Sequence, residues 1–162
     1  MADEKILIRQ VMGVGRIFAT IDTHRYYCDQ TIYCLISETD TPNIKYLLGL
    51  ISSKLLAFYF EKKMSDRKET FPKIKGVQIE ELPICAIDVS VESDKALHDH
   101  VVKLVERMLA AKEELSKAKT EAETTRLERE CESLDRQIDE AVYQLYGLTE
   151  EEIKIVEKGT AT

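Results

Sequence analysis

Two short stretches hold the residues best suited to chemistry. "THRYYCDQ" sets Arg25, Tyr26 and Tyr27 side by side, and "KKMSDRKETFPKIK" gathers Lys62, Lys63, Arg67, Lys68, Lys73 and Lys75. Lysine and arginine neutralise phosphates, and arginine and tyrosine reach base edges or stack on bases. The chemistry on offer is therefore nucleic-acid contact. Arg16, just past a pair of glycines, completes a candidate set of Arg16, Arg25, Tyr26, Tyr27, Arg67, Lys68, Lys73 and Lys75. On composition alone the plainer reading, solubilising surface charge, outweighs it.

Catalysis has no comparable foothold. His24 stands alone, and His98 and His100, two apart on a helix, cannot share a face. Cys28, Cys34, Cys85 and Cys131 are scattered without a CxxC pair, so neither a zinc site nor a disulfide framework is indicated. "EKK" (Glu61 to Lys63) matches a nuclease fragment but lacks an upstream Pro-Asp. Gly13 and Gly15 lack the third glycine of a dinucleotide fingerprint. The expectation is a non-catalytic chain with no metal and no cofactor of its own.

The candidates need a scaffold. "KILIRQV" (Lys5 to Val11), "RIFATID" (Arg16 to Asp22) and "QTIYCLIS" (Gln30 to Ser37) are rich in β-branched and aromatic residues and predict three strands. The basic and aromatic residues then fall in the loops, with Asp22 and Gln30 structural. Thr41 and Pro42 open a predicted helix over about 43–63, on which Leu47, Leu48, Leu50, Ile51, Leu55, Phe58 and Tyr59 recur at helical spacing. "FPKIKGVQIEELPI" follows as a loop with a short strand or turn.

The second half is helical. Leu97, Val101, Leu104, Met108, Ala111, Leu115, Ala118 and Ala122 step by four and three, as do Leu127, Cys131, Leu134, Ile138, Ala141 and Leu145. The two series do not share a phase, and "TEAE" at Thr120 fits a capping box between them. This predicts an antiparallel, coiled-coil-like hairpin over about 94–119 and 121–146; one long helix pairing with another chain is the alternative. Gly147 suits a left-handed helix stop, and "TEEE" at Thr149 caps a short terminal helix over about 150–158. The fold class is α+β, with a β-rich module over 1–88 and helices over 89–162.

Charge divides at the same place. Lysine plus arginine balance aspartate plus glutamate, twelve against twelve, through Asp88, and eleven face eighteen beyond it. The whole net charge of −7 thus belongs to the helices, and the acidic total does not exclude DNA binding by the first half. No apolar run could span a membrane, no signal peptide opens the chain, and a reduced cytoplasmic setting is the default.

"IDEAVYQLYGLTEEEIKIVE" resembles the ending of bacterial restriction–modification enzymes that fuse restriction to methylation and carry a TaqI-like C-terminal specificity domain. "ILIRQV", "RIFATIDTHRYYCDQTIYCLI", "NIKYLLGLISSKLLAFYFEKK" and "FPKIKGVQIEELPI" agree in order, so the resemblance runs from about Lys5 to Val156. It implies a target recognition domain: a β-rich reader of a short duplex DNA sequence, followed by helices that space or dock it. Its partners would be double-stranded DNA and the methyltransferase or endonuclease domain of a parent enzyme, with a homodimer through the helices left open. The chain has no Asn-Pro-Pro-aromatic motif, so S-adenosylmethionine and Mg2+ are expected only in the parent's other domains. A protein–protein assembly module, built on the helical seam, is the rival reading.

Overall fold

Alternation builds the sheet. The computed structural model describes residues 4–36, 42–64 and 73–161, and in it β1 (Lys5–Arg9) buries Ile6 and Ile8 while Lys5, Leu7 and Arg9 face the other way. β2 (Ala19–Asp22) and β3 (Ile32–Leu35) flank β1 antiparallel on its two sides. Register places Ile21 and Leu35 beside Ile6, and Ala19 and Tyr33 beside Ile8, on one inward face. All three strands are shorter than their sequence patterns. Beyond Arg9 the described residues continue the pairing through the Gln10 amide, which reaches the Thr31 carbonyl at 2.9 Å, and through isolated bridges, Val11 with Lys73 and Gly13 with Arg16.

The helix expected over 43–63 is broken. α1 (Ile44–Ile51) and α2 (Lys54–Tyr59) meet at Ser52 and Ser53. Ser53 Oγ donates to the Leu50 carbonyl at 2.7 Å and accepts the Leu56 amide at 3.3 Å, ending one helix and capping the next. After Tyr59 the chain winds on as a wider π-helical turn, Phe60–Met64. The cap of α1 is Asn43, whose side chain accepts the Lys45 amide at 2.9 Å. Thr41, the expected cap, lies outside the described residues. α1 is buried on every side because it lies between the sheet and a long helix, α4 (Glu92–Lys117).

A short helix, α3 (Gly76–Glu80), replaces the strand or turn suggested for that stretch. The chain that follows is held by two tyrosines. Tyr146 Oη donates to the Pro83 carbonyl at 2.6 Å and accepts the Cys85 amide at 3.0 Å, while Tyr46 Oη donates to the Cys85 carbonyl at 2.9 Å. Burial pushes both hydroxyls up, Tyr146 to about 12, so both remain donors at any physiological pH.

The helical hairpin forms as the two seams demand. α4 and α5 (Glu121–Leu145) pack antiparallel along most of their length. Val101, Leu104, Leu127, Leu134 and Ile138 are buried, and Leu97, Met108, Leu115 and Leu145 are half-buried. Thr120 Oγ1 accepts the Glu123 amide at 3.2 Å, so Thr120 caps α5 as predicted, while the Glu123 carboxylate accepts the Lys119 amide at 3.2 Å, one residue before the cap that a reciprocal box would use. Val105, Val142 and Tyr143 are buried off the seam, which widens the apolar stripe beyond that of an isolated pair. Through this extra face the hairpin docks on the first half, and one core of buried side chains runs through both halves.

α5 stops in the manner Gly147 suggests. Gly147 takes φ 66, its amide reaches the Gln144 carbonyl at 3.1 Å, and the Leu148 amide reaches Tyr143 at 3.0 Å. α6 (Glu150–Thr160) then starts from a full capping box, with Thr149 Oγ1 accepting the Glu152 amide and Glu152 accepting the Thr149 amide at 2.8 Å. No helix among the described residues is long and apolar enough to cross a membrane.

Candidate nucleic-acid interface

One face of the sheet packs on α1; the other stays open. Arg9, Thr20, Ile32 and Cys34 on that side are exposed, as is Phe18. Arg9 lies over the Phe18 ring, 5.7 Å from its centroid, which holds the guanidinium against the face while leaving it exposed. The bridge between Val11 and Lys73 continues the same side past the end of β1, since Val11 stands two positions from Arg9. Ile74, between two exposed lysines, is buried, so Lys73 and Lys75 point away from the core. Arg9, Lys73 and Lys75 therefore form a cationic strip at one end of the open face.

At the other end stands the loop after β2, and Asp22 builds it. Buried itself, Asp22 accepts the amides of His24 and Tyr26, each at 2.8 Å, and pairs with Lys5 at 3.3 Å. Burial opposes its charge, but the His24 amide, Lys5 and the Tyr26 amide together hold the carboxyl below its usual range. Between those two amides Arg25 takes φ 58, a left-handed conformation that costs a non-glycine residue on the order of 1 kcal/mol. Such a conformation persists only where its surroundings over-determine it, and here Asp22 does so. The outcome is presentation: Tyr27 is wholly exposed and Tyr26 is 63% exposed, with His24 stacked on it at 5.7 Å.

The sign of the Asp22 shift sets a pH dependence. Its folded pKa is depressed, so the stability it contributes is present above the ordinary carboxylate pKa and is lost as pH falls through the folded value. Asp22→Asn should therefore melt below the parent chain at pH 7, with the gap closing toward pH 3. Circular dichroism melts at the two pH values check this; a gap independent of pH would mean the charge is not what holds the loop.

The predicted contact residues divide. Arg25, Tyr26, Tyr27, Lys73 and Lys75 border the open face, at its two ends. Arg67 and Lys68 lie outside the described residues. Arg16 is committed inward: its guanidinium grips Asp139 on α5 through two hydrogen bonds, at 2.9 and 2.7 Å, and donates to the Ser52 carbonyl at 3.0 Å. Arg9 was not among the sequence candidates, because attention to loops passes over a strand residue. The alternation of "KILIR" was the available signal. Among the described residues no group of three or more His, Cys, Asp or Glu side chains is placed to hold a metal.

A family model, the TaqI-like C-terminal specificity domain, matches residues 1–84. The chain belongs to that family. The matched residues contain the whole sheet, α1, α2, α3 and every basic and aromatic candidate named above. The family is that of DNA target recognition in restriction–modification systems, and a specificity domain is typically the non-catalytic part. The helices α4 to α6 lie beyond the match, including the tail whose sequence resembles such enzymes. No curated protein and no solved structure matches the chain.

Proposed function

We propose that this chain reads a short double-stranded DNA sequence and directs a separate methyltransferase or endonuclease domain to it in the bacterial cytoplasm. The observation that carries this is the family match over the sheet-bearing half, joined to the open sheet face bordered by Arg9, Lys73, Lys75 and the Arg25–Tyr27 loop. The lysines contact phosphates and fix register, and Arg9, Arg25 and the tyrosines reach into a groove or stack on bases. S-adenosylmethionine and Mg2+ belong to the partner domain. The acidic hairpin, turned against the first half, holds the sheet rather than the DNA.

Two measurements test the proposal. Repeated selection from a random duplex pool should enrich a short motif, and recovery without enrichment would sink sequence-specific reading. In fluorescence anisotropy across a salt series, Lys73→Ala with Lys75→Ala should flatten the slope of log affinity against log salt by about 2. An unchanged slope would remove the strip from the interface.

The rival reading, assembly through the helical seam, has less to stand on. The seam residues pack within the chain, α4 against α5 and both against the first half. An apolar stripe already covered gives a second copy little to bind.

A further inference from the structure

The terminal helix α6 turns an apolar side chain to solvent. Its inner side is fixed. Val156 is buried, and Glu157 accepts the Tyr143 hydroxyl at 2.8 Å and pairs with Lys54. Gly159 lies so close to Phe58 that a Cβ there would stand 2.5 Å from the ring. The outer side carries Ile155, 59% exposed, at the middle residue of the helix. Beside it an apolar groove runs between α6 and α2, lined by Leu55, Phe58, Tyr59 and Leu148. The hairpin seam is covered within the chain, whereas Ile155 stands open.

Charge is sorted along the same face. Residues three and four positions from Ile155 share its side of the helix. Toward the start these are Glu151 and Glu152, and toward the end they are Lys158 and Gly159. Lys62 reaches alongside Gly159, its Cε 3.8 Å from where a Cβ would stand. Glu151, Lys62 and Lys158 are exposed, and among the described residues none of them has an ion-pair partner. A second α6 laid antiparallel across the first, with a two-fold axis at Ile155, sets each residue before 155 against the one equally far after it. Glu152 then faces Lys158 of the second copy, and Glu151 faces Gly159 with Lys62 beside it. The match holds on both sides of the axis, as an isologous contact requires. A parallel arrangement would set acid on acid and base on base.

We propose that the outer face of α6, with the groove beside it, is the interface of a symmetric homodimer. Ile155 of each copy packs at the apolar groove of the other, and Glu151 and Glu152 pair with Lys62 and Lys158 across the axis. The apolar contact supplies the attraction, and the charges fix the antiparallel sense. Two copies so joined carry two open sheet faces related by the same axis.

Sedimentation velocity over a concentration series tests this on the full chain, with a monomer–dimer equilibrium expected that weakens as salt is raised. Ile155→Glu should raise the dimer dissociation constant at least about tenfold. It should leave the circular dichroism spectrum unchanged, because the side chain it replaces is exposed. Lys62→Glu and Glu151→Lys should each weaken the dimer. The double variant should recover it, since the exchanged charges again face their opposites across the axis. A chain that stays monomeric to its solubility limit would overturn the inference. So would a dimer indifferent to Ile155→Glu, or a double variant no tighter than either single one. None of these readings involves DNA, so the result stands or falls apart from the function proposed above.

Discussion

Asp139→Ala should lose about 3–5 kcal/mol of folding stability, the largest effect of any single substitution considered for this chain. Against the 5–15 kcal/mol that holds a typical domain, this is a large share. At about 2–4 °C per kcal/mol for a chain of this size, melting should fall by roughly 10 °C. The reason is what the carboxylate leaves behind. Asp139 is 2% exposed and accepts two hydrogen bonds from Arg16 and one, at 2.9 Å, from the Lys54 amide at the start of α2. Without it the guanidinium keeps the Ser52 carbonyl but loses its counter-charge, and the helix-start amide of Lys54 loses its acceptor. Burial pushes the Asp139 carboxyl up, against the pull of Arg16 and Lys54. Arg16→Met should consequently be milder at low pH, where the stranded acid can take a proton, and harsher near neutrality. A double-mutant cycle completes the test. Arg16→Met with Asp139→Leu should lose clearly less than the two single losses added, because neither charge is then stranded. Additive losses in urea melts would mean the pair is not a unit.

The same pair separates what was legible in the sequence from what was not. The helices α4, α5 and α6 could be placed because their signals are local. Heptad steps, a threonine with a glutamate three residues on, and a glycine after an apolar turn all act within a few residues. The strands were legible as elements, since β-branched runs mark them, but their order was not. β3 skips β2 to pair with β1, and only the finished core decides that. The break at Ser52–Ser53 was hidden for a different reason. The leucines on either side keep a helical spacing, so periodicity runs through a point where one serine hydroxyl ends one helix and caps another. Arg16 is the sharpest case. An arginine after a glycine turn looks like a phosphate contact, and its actual partner lies 123 residues away. Arg9 erred in the opposite direction. It sits on a strand and not in a loop, so it was passed over, yet a period of two sends every second residue of β1 to the open side. Of the proposed interface, then, the loop could be read in advance, and the face it belongs to could not.

Gly49→Ala should also destabilise, although helix propensity alone argues the reverse. Replacing a helix-interior glycine by alanine gains up to about 1 kcal/mol. A Cβ at residue 49, however, would stand 2.7 Å from Val101 Cγ1 and 3.0 Å from Val105 Cγ2. Both valines are buried on α4, and a β-branched side chain in a helix keeps essentially one rotamer, so neither can swing aside. Overpacking of this kind costs about 1–3 kcal/mol, which exceeds the gain, and Gly49→Leu should exceed it further. Val101→Ala supplies the discriminating test. Alone it opens a cavity and destabilises; combined with Gly49→Ala it should recover part of the loss, because the new methyl occupies the space the valine gave up. Without such rescue, the close approach of α1 to α4 is not what selects glycine there. The position matters beyond stability, since α1 lies between the sheet and the hairpin. A helix forced off α4 carries the inward face of β1 with it, and the cationic strip on the opposite face of that strand shifts by the same amount. If the sheet reads DNA, a chain with Gly49→Ala that still folds should bind with a weakened preference for its enriched motif while keeping its salt slope. Phosphate contacts tolerate a small displacement, whereas hydrogen bonds to base edges do not.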